Sequence, residues 1–221
     1  GRISGGHEKI VELATGSVGR MAGRGSFTNV QSRTNRMQDQ DQFDKVLEEV
    51  TFAWGQGNHS EGIALLDDVI LRVENTMKGQ CLLLRGMIKT DLGFQKDARE
   101  GWMAAIPYSS EGSFLRACLE YETGVSFENE NCTNEALSYY RSAIETCAYG
   151  DEFAGTKQLG AYLALNNGRI LEGDKTMIMA AVKKTWRVLE LPGEPNIAKL
   201  PDAITKLGQG MSEKLRRIAE S

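Results

Sequence analysis

The sequence predicts an all-α chain of stacked antiparallel helix pairs, and three observations carry that expectation. Apolar residues recur at helical spacing from Phe43 onward, as in Phe43, Val46, Leu47 and Val50. Only four prolines interrupt 221 residues, and proline breaks helix interiors. Turn residues and small residues recur together at matched offsets, as expected of units that bury their faces on one another.

Residues 1–40 read differently from the rest. Gly1, Gly5, Gly6, Gly16, Gly19, Gly23 and Gly25 crowd the stretch, and only Glu8 to Ala14 has helical spacing. Glycines at 16 and 19 weaken any continuation by about 1 kcal/mol each relative to alanine. The expectation is an arm with at most one short helix.

The helical part follows over 41–190, in pairs at about 41–75, 78–108, 113–148 and 152–190. In the first pair, Gly55-Gln56-Gly57-Asn58 stops one helix and Ser60 is placed to cap the next, which runs through Ile63, Leu66, Val69, Ile70 and Val73. Aligning the turns exposes the repeat: Gly57-x4-Gly62-x3-Leu66-x2-Val69, then Gly93-x4-Ala98-x3-Trp102-x2-Ala105, then Asn131-x4-Ala136-x3-Tyr140-x2-Ala143. Positions 62, 98 and 136 lie 36 and 38 residues apart. Seven residues before each turn stand Val50, Gly86 and Gly124, so the second and third pairs carry glycine where two helices must touch closely. The fourth pair, Phe153 to Leu171 and Lys175 to Leu189, has a degenerate register. Leu191-Pro192-Gly193-Glu194-Pro195 ends it, and 191–221 reads as one or two capping helices over Ile197 to Ala219.

The stretch from Leu84-Arg85-Gly86 through Gly93-Phe94 to Ala98-x3-Trp102-x2-Ala105 resembles a tetratricopeptide repeat, and Cys118 to Ile144 is similar. The resemblance covers about residues 43–190, with spacings longer than the family's usual unit. It implies a right-handed superhelix, no catalysis, and a concave face made by the first helix of each pair. Unit by unit that face would hold Leu47, Thr51 and Trp54, then Leu83, Met87 and Thr90, then Tyr121, Val125 and Glu128, with Asn166 and Asn167 from the fourth pair. Some members hold chaperone C-termini with a lysine and asparagine clamp; its slots here carry Leu47, Thr51, Leu83 and Met87. The implied ligand is therefore an apolar protein segment or amphipathic helix rather than a C-terminal carboxylate. The competing reading is that several of these side chains are simply core between helices.

Composition is that of an ordinary folded chain, with 41% hydrophobic and 25% charged residues. Charge is uneven. Residues 1–36 carry six basic side chains against Glu8 and Glu12, a surplus of +4, which leaves −8 for the remainder of a chain whose net charge is −4. An acidic body disfavours non-specific nucleic-acid binding. The arm is the exception. Gly16-x2-Gly19-Arg20-x2-Gly23-Arg24-Gly25 could bring Arg20 and Arg24 to an anion, and an alternative function is a regulatory subunit whose arm contacts nucleic acid or another anionic partner. A second copy of the chain, engaged through the arm, is a further expected partner.

Cys81, Cys118, Cys132 and Cys147 form no CxxC pair, which fits neither a zinc knuckle nor a redox motif. Free thiols in a reducing, cytoplasmic setting are expected. No run approaches the roughly 18 apolar residues that cross a bilayer, and no signal-peptide pattern is visible. His7 and His59 have no triad partners nearby in sequence. Gly168-x4-Gly173-Asp174-Lys175-Thr176 looks like a phosphate loop, but Asp174 would set a negative charge where phosphate should lie. An interhelical turn with Asp174 as helix cap is the expectation there. Acid pairs such as Glu48-Glu49, Asp67-Asp68 and Glu128 with Glu130 read as solvated faces. No catalytic residue, metal site or cofactor is expected.

Overall fold

The computed structural model describes residues 40–150, 157–166, 170–188 and 191–199. The described residues are helical, with no strand among them. Eight α-helices follow in order: α1 Gln40–Gly55, α2 His59–Ile70, α3 Asn75–Asp91, α4 Gln95–Ala105, α5 Phe114–Asn129, α6 Thr133–Tyr149, α7 Lys157–Asn166 and α8 Glu172–Val188. Short 3-10 turns lie at Ile106–Tyr108 and Ile197–Lys199. None of these helices is long and apolar enough to cross a membrane. The arm, with Arg20, Arg24 and His7, lies outside the described residues, as does the stretch of expected capping helix beyond Lys199.

Three turns share one hydrogen-bond pattern. After α1, the Gly57 N–H donates to the Trp54 carbonyl at 2.9 Å and the Asn58 N–H to Ala53 at 2.8 Å. After α3, Gly93 donates to Thr90 and Phe94 to Lys89, both at 2.9 Å. After α5, Asn131 donates to Glu128 and Cys132 to Phe127, both at 2.9 Å. This crossed pair of bonds satisfies the last carbonyls of a helix and requires a left-handed residue just past its end. Gly57, Gly93 and Asn131 supply it, with φ of 79°, 85° and 60°. The second helix of each pair then starts the same way, with Gly62, Ala98 and Ala136 donating to Asn58, Phe94 and Cys132.

Small residues meet large ones across the pairs. A Cβ on Gly86 would stand 2.1 Å from Nε1 of Trp102, and one on Gly124 would stand 2.7 Å from the ring of Tyr140. The contacts are centred on Phe94 and Cys132, the residues just after the left-handed turn positions, as antiparallel helices require. Ala98 and Ala136, at equivalent places, are fully buried. In the first pair the crowding is inverted: Gly62 on α2 lies under Val50 and Ile88.

Pairs join through polar contacts as well. Trp54 Nε1 donates to Asp91 at 2.7 Å, linking the ends of α1 and α3. Arg85 of α3 lies 2.7 Å from Asp67 of α2. Ser126 of α5 donates to the Gln95 carbonyl of α4. Apolar side chains gather in two clusters. One holds Phe43, Leu47, Leu66, Met87, Trp102 and Leu119 from α1 to α5. The other holds Tyr140, Ile144, Tyr162, Val182 and Trp186 from α6 to α8.

Two expected caps differ. α2 begins at His59, so the cap position is Asn58 rather than Ser60, and no side chain bonds there. His59 is half-buried. α8 begins at Glu172, so Asp174 sits inside its first turn. There it is buried, accepts from the Tyr162 hydroxyl and lies 2.6 Å from Arg141. A carboxylate early in a helix favours the dipole, and here it also ties α7 and α6 to α8.

Candidate functional site

The three helix positions assigned to a concave face are α1, α3 and α5. Along them burial differs from slot to slot. In the slot of Leu47, Leu83 and Tyr121, the first two are fully buried and Tyr121 is half-buried. In the slot of Thr51, Met87 and Val125, Met87 is buried while Thr51 and Val125 are half-buried. In the slot of Trp54, Thr90 and Glu128, Trp54 is buried, Thr90 half-buried and Glu128 exposed.

Leu47, Trp54, Leu83 and Met87 are therefore core, all four within the first cluster. They present nothing to a partner unless the core opens. The cause is local: α3 packs on α2, α4 and α5, and Trp54 of α1 bonds to Asp91 at its end. A helix flanked this way buries residues on more than one face, here Cys81, Leu83, Leu84, Met87 and Ile88. Asn167 lies outside the described residues, and Asn166 is buried at the end of α7.

The threonines are already satisfied. Thr51 Oγ1 donates to the Leu47 carbonyl at 2.7 Å and Thr90 Oγ1 to Gly86 at 3.0 Å. They offer methyl groups rather than free donors. At the α5 end of the row, Tyr121, Val125 and Glu128 stand one helical turn apart; Glu128 is exposed, while Tyr121 and Val125 are half-buried and rest one side against the second apolar cluster.

The chemistry at that end is aromatic and acidic. The rings of Tyr121 and Tyr140 lie 5.6 Å apart. The Tyr140 hydroxyl donates to Glu128, which fixes that carboxylate over the end of α5. Burial, then the charges of Glu122 and Glu128, push the Tyr121 hydroxyl up to about 12. Burial and the Glu128 bond also raise Tyr140. Both phenols are neutral at physiological pH, so the site is an apolar strip with one anionic rim residue.

Beside it lies a feature that sequence spacing did not flag. The Arg99 guanidinium of α4 sits 4.3 Å over the Phe127 ring, and lies 2.7 Å from Glu130. Phe127 stacks on Tyr139 at 5.6 Å. The i, i+4 relation is absent here because the three residues come from three helices, so only the fold brings them together.

The expected acid pairs are exposed. Asp67 faces Arg85, Asp68 faces Arg72 and Glu130 faces Arg99. No cluster of three metal-ligating side chains occurs among the described residues. None of the four cysteines is in a disulfide. No protein-family model, curated protein or solved structure matches this chain.

Proposed function

We propose that this chain is a non-catalytic interaction scaffold of the tetratricopeptide kind, which takes an apolar segment of a partner protein against α5. The observation that supports it is the difference in burial at equivalent positions: Tyr121 is half-buried where Leu47 and Leu83 are closed, and Glu128 is exposed where Trp54 is closed. A second support is the threefold recurrence of one turn pattern, with glycine–aromatic contacts behind two of the three turns. Units that repeat in this way stack, and stacked helix pairs offer an extended face.

The partner would be an amphipathic helix or extended apolar strip. Tyr121 supplies a large ring with few torsions to freeze, and Val125 supplies apolar area beside it. Glu128, held by Tyr140, would sit beside a basic residue flanking the apolar segment.

The test is a peptide-display selection on the intact chain, followed by binding to two variants. Selected peptides should be apolar with a basic flank. Val125→Arg and Tyr121→Ala should each weaken them on the order of ten-fold, with helix content unchanged. Peptides that bind both variants as well as the parent would sink the reading.

A further inference from the structure

The two outermost helices of the described chain carry exposed faces of opposite charge. On α1, Asp41, Gln42, Lys45, Glu48, Glu49 and Phe52 share one exposed stripe. It holds three acids against one base, and Phe52 is 70% exposed. On α8, Lys175, Thr176, Met179, Lys183 and Arg187 are exposed, with Lys184 half-buried beside them. Met179 is 37% exposed. Lys175 pairs with Glu172 at 2.8 Å, whereas Lys183, Lys184 and Arg187 form no ion pair among the described residues. Neither do Glu48 and Glu49. The basic density on α8 stands out in a chain that carries −8 beyond its first 36 residues.

These faces do not neutralise each other within one molecule. α1 packs on α2 and belongs to the first apolar cluster, while α8 packs on α6 and belongs to the second. Each face pairs an exposed apolar residue with charges one helical turn away. Laid antiparallel with Phe52 on Met179, Glu48 meets Lys183 one turn along, and half-buried Asp44, which accepts from Gln40 at 2.7 Å, falls toward Arg187 on the next. The same spacing of four residues governs both helices, so the register closes without adjustment.

We infer that α8 of one copy docks on α1 of a second copy, so that the chain self-associates head to tail. The contact is heterologous: each copy uses one face and leaves the other free for a further copy. Growth is then open-ended, and it is sensitive to salt because its specificity is electrostatic. This inference does not rest on the α5 site, whose residues lie on neither face.

The experiment is sedimentation equilibrium of the full chain across concentration and sodium chloride. In low salt the average mass should climb with concentration, and it should fall toward one chain as salt shortens the screening length to about 3 Å near 1 M. Two double variants follow: Glu48→Lys with Glu49→Lys, and Lys183→Glu with Lys184→Glu. Each alone should shift assembly to roughly ten-fold higher concentration or more, with circular dichroism unchanged. Mixed in equal amounts they should assemble again, because each supplies the charge that the other reversed. A variant that merely misfolds would not be rescued by mixing. A parent chain that stays at one-chain mass in low salt overturns the inference, and so does assembly that neither reversal weakens.

Discussion

Trp102 occupies the space that a side chain on Gly86 would need. The indole lies across α3, its N–H donates to the Leu83 carbonyl at 3.1 Å, and a Cβ on Gly86 would overlap the ring at 2.1 Å. Trp102 is 1% exposed, so the ring has nowhere to go. Gly86→Ala is expected to cost about 1–3 kcal/mol through overpacking, despite alanine's better helix propensity. Gly101→Ala is the control: nothing lies within 4 Å of its Cβ position, and the change should stabilise by up to about 1 kcal/mol. Urea midpoints of the two variants check both signs.

The turns make a paired prediction. Gly93 and Asn131 hold equivalent left-handed positions, at φ of 85° and 60°. Gly93→Ala should lose about 1–2 kcal/mol, because a Cβ is disfavoured there. Asn131→Gly should be neutral or slightly stabilising, since it relieves a residue that only tolerates the conformation. Thermal unfolding of the two variants distinguishes them.

Glu120 is a buried acid with three side-chain partners. It accepts from Ser142 at 2.8 Å, from Thr146 at 2.9 Å and from Arg116 at 3.1 Å, joining α5 to α6. Glu120→Ala would leave two hydroxyls and a guanidinium without their acceptor. The expected loss is roughly 2–3 kcal/mol, moderated because Arg116 reaches solvent. Glu172→Ala removes only an exposed pair with Lys175 and should stay within about 0.5 kcal/mol.

Alkaline pH should unfold the chain earlier than its surface charge would dictate. Burial pushes the Cys81 thiol up to about 12. Tyr121 and Tyr162 are pushed up to about 12 as well, by burial first. The folded chain then holds protons that the unfolded chain releases between about pH 9 and 12. Stability is fully present below that window and falls as pH rises through it. Urea midpoints at pH 8 and pH 11 test the direction. In the native chain at pH 8, a thiol reagent should label half-buried Cys132 and spare Cys81. Equal labelling of the two would contradict the packing of α3.

Much of the architecture could be read from spacing. Gly86 and Gly124 fall seven residues before a turn, the spacing that predicts a close contact, and Trp102 and Tyr140 lie against them. Ala98 and Ala136 are buried as the alignment required. The candidate surface was less legible. An apolar residue at Leu47 or Met87 fits a groove and a core equally well, and only the neighbouring helices decide. Asp174 was misplaced for a related reason. Its partners Tyr162 and Arg141 lie on other helices, so local cap rules could not see them.

The turns between paired helices are only a few residues long, as at Gln56 to Asn58, and α1 to α7 rest mainly on the helices next to them in the chain, while α8 rests on α6. Closing short loops removes little chain entropy, so the search for native contacts stays local. Hairpins α1–α2, α3–α4 and α5–α6 can each start folding on their own, and the others zip on from there. The route would then be set by whichever hairpin is most stable, and refolding would be quick for a chain of this length.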